Sequence, residues 1–478
     1  MEAISNVVRQ VRDRHGEPLA LCRMRIDFAS ADARRPTNVV FDLSLGGEAV
    51  GSIALPAPQI GVPLRFSEAR TLHTLDYRLP QALVDSIQQH LPPQQPLYLA
   101  FDSPNGYLPA VPWEKLATAP LRRPILRLGM TSVRPVLPEQ TMDVAYCCSL
   151  PPNAGVSPAV VATEFIRQLP RELPQQARLH VFTHRALNGL LQRKIESLGL
   201  SGSVTVYVAP ETAVCPISGG NDTLSDVPDV SQIQNPWLLW MRDALQSVSV
   251  DGVHFVCTGY LGRTRAGLRL SDAPMQSNEF RCAEIVSTRE LAMFLQQVGA
   301  WSVAFSSPPF NSCDIGLRML FHEIAGVLAG PTAFHDIAAD TNANALGMLY
   351  RYVFMPQTSA TPCSPALALS THPSWSGALN QQWDDRMERL VREYTVFGQT
   401  ASGIEPSPSA PPAPAPAAWV TSQQRSLEKS ISELGSAPQS ENEQAREDGI
   451  LAALRFTTDL LSKYAVPGGK DPTGGNKS

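Results

Sequence analysis

Residues 253–259, Val-His-Phe-Val-Cys-Thr-Gly, and residues 301–309, Trp-Ser-Val-Ala-Phe-Ser-Ser-Pro-Pro, decide the fold class. Each begins as a short apolar run and ends in small or turn-forming residues. Thr288 to Val298, between them, has the pattern of an amphipathic helix. Strand, helix and strand in this order make a crossover unit with parallel strands. The same alternation runs outward in both directions. Leu97 to Phe101, Asp143 to Cys148, Leu179 to Thr183, Val204 to Val208 and Thr332 to His335 are further short apolar runs. Pro158 to Leu169, Ala186 to Leu198, Pro236 to Val248 and Cys313 to Leu328 are helix-like. The expected fold class is therefore α/β, a mostly parallel sheet with helices on both faces. In such sheets ligands and catalytic groups gather outside the carboxyl ends of the strands. The segments to inspect are Thr258 to Arg263, Ser306 to Asn311, and His335-Asp336.

Before residue 90 the pattern differs. Leu19 to Phe28 and Asn38 to Leu45 alternate apolar and polar residues, and Gly46-Gly47-Glu48 suits a hairpin turn, so residues 1–90 are expected to form a β-rich lobe. The α/β domain then covers 91–400. Residues 406–416, Pro-Ser-Pro-Ser-Ala-Pro-Pro-Ala-Pro-Ala-Pro, read as an extended spacer within a 401–418 linker. Beyond it a helical tail is expected over 419–465 and an unstructured end over 466–478. In the tail, Ile450, Leu451, Leu454, Leu461 and Tyr464 share one helical face. Trp419, Ile450, Leu454 and Leu461 are the candidate contacts for a partner groove, docking on the chain's own body being the alternative.

Composition excludes several function classes. The 478 residues carry a net charge of -5 with lysine and arginine scattered, which is not the basic footprint of a nucleic-acid binder. The longest apolar stretches, such as Pro236 to Met241, fall far short of the roughly 20 residues that cross a bilayer. Met1 to Asn6 lacks the start of a signal peptide, and eight cysteines without CxxC spacing suit reduced thiols, so a cytoplasmic location is expected. No nucleotide, dinucleotide, zinc-protease or hydrolase-elbow motif occurs, and no metal or cofactor is expected. Pro216 to Gln234 reads as a long, mobile polar loop before the sheet's central strand, placed to cover a pocket at that strand's end.

Four pieces in order, Pro104 to Glu114, Val253 to Gly259, Gly267 to Asp272, and Gly299 to Pro308, resemble the caspase-like CHAT domain over roughly residues 90–375. In that family one strand ends in a His-Gly pair, a short hairpin and a helix follow, and the next strand ends in the nucleophilic cysteine. The histidine activates that thiol and later protonates the leaving amine. Laid on this chain, the histidine position falls on Thr258 and the cysteine position on Pro308. Neither side chain exchanges protons near neutral pH. The resemblance therefore implies a protease-like scaffold without its dyad, a pseudo-protease with a regulatory or adaptor role. Its pocket would be lined by Thr258, Ser306, Ser307 and Asn311 and would bind a protein or peptide partner. Membership in bacterial conflict or defence signalling is a further implication of the resemblance.

Two enzymatic alternatives stay open. A relocated dyad would draw on His335 as base with Ser306, Ser307 or Cys313 as nucleophile. His254, on the same strand face as Val256, and Cys257, on the opposite one, are expected in the core. The second is a cysteine-dependent phosphatase built on Cys257 and Arg263, whose five-residue separation matches a phosphate-binding loop.

Overall fold

The structure is a computed structural model. The residues it describes lie between 21 and 375, excluding 30–37, 64–76, 94, 102–105, 130–140, 151–153, 173–175, 212, 214–226, 228–231, 247, 263–264, 272–273, 275–282, 310–313, 329, 341 and 356–358. Asn311, Cys313, Arg263, Trp419, Ile450, Leu454 and Leu461 therefore fall outside the described residues, as do the linker and the tail.

The apolar runs become the strands of a parallel block: β6 (Thr141–Cys148), β7 (Gln176–Thr183), β8 (Val204–Tyr207), β9 (Gly252–Val256), β13 (Ser302–Ser307) and β14 (Thr332–Asp336). They lie in the order β8-β7-β6-β9-β13-β14. The chain starts in the middle at β6, winds outward to β8, then returns beside β6 at β9 and winds the other way. The gap outside the ends of β6 and β9 is thus a topological switch point. β15 (Leu367–Thr371) adds antiparallel to β14.

The sheet continues past β15. β5 (Ile125–Leu128), β4 (Leu97–Phe101) and β1 (Cys22–Phe28) run parallel to β15, and β2 (Asn38–Leu45) and β3 (Glu48–Pro56) close that side as an antiparallel hairpin. Among the described residues, twelve strands form this one sheet. The expected N-terminal lobe is therefore not separate: β1 pairs in parallel with β4, which joins the early strands to the α/β sheet. The hairpin turn falls where expected, because Gly46 and Gly47 supply the two positive φ angles, 61° and 94°, of a tight two-residue turn.

Helices cover both faces. α3 (Pro158–Glu172), α4 (Arg185–Ser197) and α8 (Asn344–Phe354) bury their apolar sides on one face with Tyr146, Val181 and Ala304. α1 (Gln81–His90), α2 (Trp113–Leu121), α5 (Pro236–Ala244), α6 (Thr288–Gln297) and α7 (Asp314–Ala325) bury theirs on the other, against Cys147, Phe255 and Phe305. On this second face lies a small antiparallel sheet inserted after β9: β10 (Thr258–Leu261), β11 (Ala266–Ser271) and β12 (Ala283–Ser287).

The second face also holds a buried charge cluster. Glu114, on the first turn of α2, accepts from Arg127 Nε on β5 at 2.6 Å, and Arg318 of α7 stands 4.0 Å away. Arg318 also pairs with Asp314 at 3.2 Å and lies over the Phe334 ring. All three of Glu114, Arg127 and Arg318 are buried, so the cluster ties helix, strand and helix together.

Candidate functional site at the carboxyl edge of the sheet

Pairing puts the ends of the parallel strands on one level. Val256 lies opposite both Cys148 of β6 and Ser306 of β13, Thr183 lies opposite Cys148, and Ser306 lies opposite His335. Of the residues expected to matter, Thr258, Ser306, Ser307, Pro308 and His335 therefore do lie at one edge, but they do not share one cleft.

Thr258 opens β10 and is 3 % exposed; its hydroxyl turns inward and donates to the Arg269 carbonyl at 3.4 Å. Pro308 directly follows β13 and is buried. Ser307 Oγ donates to the Pro308 carbonyl at 3.3 Å. Successive strand residues point to opposite faces, so Ser306 and Ser307 cannot line one pocket together. This corrects the expected grouping of Thr258, Ser306 and Ser307. Ser306 is held on the face covered by α3 and α8.

There it sits in a buried chain of five polar side chains. Tyr350 OH lies 2.6 Å from His254 Nδ1, His254 Nε2 lies 2.7 Å from Ser306 Oγ, Ser306 Oγ lies 2.8 Å from His335 Nδ1, and His335 Nε2 lies 3.0 Å from Asp340 Oδ2. One set of directions satisfies every member. Tyr350 donates to His254, His254 donates to Ser306, Ser306 donates to His335, and His335 donates to the Asp340 carboxylate.

The electrostatics agree with those directions. Burial, reinforced by the nearby His335, drives His254 well below the ordinary histidine range, so it stays neutral. Burial drives the Tyr350 phenol well above its range, which keeps its proton. Burial alone would raise the Asp340 carboxyl, but the His335 N–H and the Ala345 and Leu346 amides outweigh it and hold the group low. Asp340 thereby also caps the first turn of α8.

A serine aimed at an imidazole that is itself oriented by a carboxylate has the parts of a general-base nucleophile. Access decides against that use in this conformation. Ser306 is 2 % exposed and His254 0 %. Ser306 Oγ already accepts the His254 N–H, and a reacting carbonyl has no approach to it.

A second group, which no reading of the sequence anticipated, stands at the switch point. Ser149, immediately after β6, donates through Oγ to Ser271 Oγ at 3.2 Å and accepts the Ser271 amide at 2.9 Å. Trp237 Nε1 donates to the Ser271 carbonyl at 3.0 Å, and His184 Nε2 lies 3.5 Å from Ser271 Oγ. Ser149 was within reach of the strand-end rule that picked out Thr258 and Ser306. Ser271 was not, because it arrives from a strand of the small inserted sheet.

No family model, curated protein or solved structure matches the chain.

The remaining sequence candidates divide clearly. Cys257 is fully buried on the face of Phe255, and the segment after Arg263 is the strand β11, so no helix N-terminus is there to hold a phosphate. This removes the phosphatase arrangement. Cys147 and Cys148 are buried too, and burial pushes the Cys148 thiol up to about 12, which suits core sulfur rather than a nucleophile. Among the described residues, no group of three or more potential ligands is placed to hold a metal, and no helix is long and apolar enough to cross a membrane.

Proposed function

We propose that the chain is a caspase-like, CHAT-resembling scaffold that binds a protein or peptide partner and does not cleave it. The observation that carries this is the pair Thr258 and Pro308, standing at the ends of β9 and β13 where the resemblance calls for histidine and cysteine. The order β9, inserted three-stranded sheet, α6, β13 supports the same scaffold. A threonine hydroxyl bonded to a backbone carbonyl and a proline ring supply neither base nor nucleophile. Its function is then regulatory, as an adaptor component of a bacterial conflict or defence system, with the tail beyond the proline-rich linker as one contact surface.

A second reading has its own observation, the Ser306–His335–Asp340 chain, which would serve a hydrolase if the cover over Ser306 lifted. One experiment separates the two. The full chain and a chain ending at residue 404 are compared for bound proteins, new protein termini and labelling by a fluorophosphonate probe. The adaptor role predicts a partner lost on truncation, no new termini and no label. New termini that vanish in Ser306→Ala, His335→Ala or Cys313→Ala, or a label on Ser306, would overturn it.

A further inference from the structure

β3 ends the twelve-stranded sheet, and among the described residues no strand pairs with its outer edge. Natural edge strands are blunted by brevity, lysine, internal proline or bulges. The opposite edge, β8, is blunted by length, being four residues long. β3 has nine residues, Glu-Ala-Val-Gly-Ser-Ile-Ala-Leu-Pro, with no lysine or arginine and its proline only at the last position. Its one bulge falls at Val50, between the pairs Leu43–Gly51 and Ser44–Ala49. Gly51 to Leu55 therefore remain a regular ladder whose outward amides and carbonyls pair with no strand among the described residues.

The two faces of that ladder differ. Gly51, Ile53 and Leu55 lie opposite the core residues Leu43, Phe41 and Val39, and Ile53 and Leu55 are only partly buried there. Ser52 and Ala54 are exposed on the other face. We propose that β3 is a homodimer interface, two copies pairing antiparallel about a two-fold axis at Ile53.

The sequence of β3 is self-complementary in that register. Ile53 meets Ile53, Gly51 leaves room for Leu55, Ser52 meets Ala54, and Val50 meets Pro56. The only charge, Glu48, lies beyond the bulge. The two copies of Glu48 are then separated by about ten residues of strand, roughly 30 Å, well beyond a screening length. An isologous contact of this kind needs no other partner and closes on itself. Pairing satisfies the open backbone groups and covers the half-exposed Ile53 and Leu55 of both copies.

A short ladder buries less than the roughly 1,200 Å² of a stable complex, so association is expected to depend on concentration. Velocity sedimentation of the full chain across about 1–100 µM should show a monomer–dimer equilibrium. Ser52→Lys/Ala54→Lys puts lysines opposite lysines and should abolish the dimer, as should Ser52→Glu/Ala54→Glu; an equal mixture of the two variants should restore it. Both positions are exposed, and thermal midpoints matching the parent check that the fold is intact; Ser52→Lys alone is the milder variant should either double variant melt early. A parent that stays monomeric throughout, a dimer indifferent to the charges, or variants that fail to reassociate when mixed would each overturn the interface.

Discussion

A serine hydroxyl enclosed between two imidazoles can give its single proton to one of them only. Ser306 gives it to His335, which obliges His254 to donate to Ser306 and therefore to remain neutral, with Tyr350 filling its other nitrogen. Protonation of His254 would break that order and place a charge in a fully buried site. Its folded pKa lies well below its unfolded value of about 6.5, so the unfolded state binds the extra proton. The stabilisation from His254 is then complete above about pH 6.5 and is lost as pH falls below it, by up to about 1.4 kcal/mol per pH unit. Asp340 is held below the ordinary carboxyl range, so its own loss begins only below about pH 4. Urea unfolding at pH 7, 6 and 5 should show the midpoint falling across this window, and His254→Gln should lessen that fall, the remainder resting on the buried His322, which burial holds down at about 3. A parent midpoint unchanged between pH 7 and 5 would contradict a neutral, enclosed His254.

At the scale of elements, a helix can be legible while its seat is not. α7 is expected from Cys313 to Leu328 and spans Asp314–Ala325, because its apolar residues recur at helical period. Gly316 inside it looks like a weakness in the sequence, since glycine costs about 1 kcal/mol in a helix relative to alanine. The structure gives its reason: a Cβ there would stand 2.5 Å from the Tyr260 nitrogen and 2.6 Å from the Tyr260 carbonyl carbon. α7 packs onto the backbone of β10, directly beside the Thr258-Gly259 pair, and backbone cannot yield as a flexible side chain does. Gly316→Ala should therefore destabilise by about 1–2 kcal/mol, the overpacking exceeding the gain in helix propensity. Urea unfolding measures it, and a stabilised variant would mean that α7 does not bear on β10. β5 escaped the sequence for a related reason. Its four residues Ile-Leu-Arg-Leu put Arg127 on the core side, where Glu114 of α2 meets it, and no strand periodicity anticipates a buried arginine. The five central strands were legible because both their faces are covered and they read as unbroken apolar runs. Ser306 and His335 were likewise visible as strand-end residues, but their joining through His254 depends on register, which a sequence does not display.

For the whole molecule, the decisive feature is that the strands before residue 60 belong to the same sheet as those after 300. The alternating pattern of β1 and β2 suggests a small lobe with one wet face, and that face is indeed polar, with Arg25, Asp27 and Asp42 forming ion pairs across it. The other face is not closed on itself. Met24, Ile26, Phe41 and Leu43 enter the same apolar core as Leu97, Trp113, Phe321 and Phe334. Phe41 packs edge-on against the Trp113 ring, 5.7 Å between centroids, so the hairpin and α2 share a contact that neither could replace alone. A chain beginning at residue 95 would lose that cover and leave β4, Leu-Tyr-Leu-Ala-Phe, as an unpaired apolar edge. Long apolar edges of that kind recruit other chains. The shortened chain is therefore expected to aggregate on expression or to elute as a high-mass species. Residues 1–93 made alone should show no cooperative thermal transition. Were the N-terminal part a lobe with its own core, both pieces would be soluble, and each would melt with a midpoint of its own. Size-exclusion chromatography and calorimetry of the two pieces distinguish these outcomes. Two soluble, separately melting pieces would place a domain boundary at residue 90 in spite of the continuous sheet.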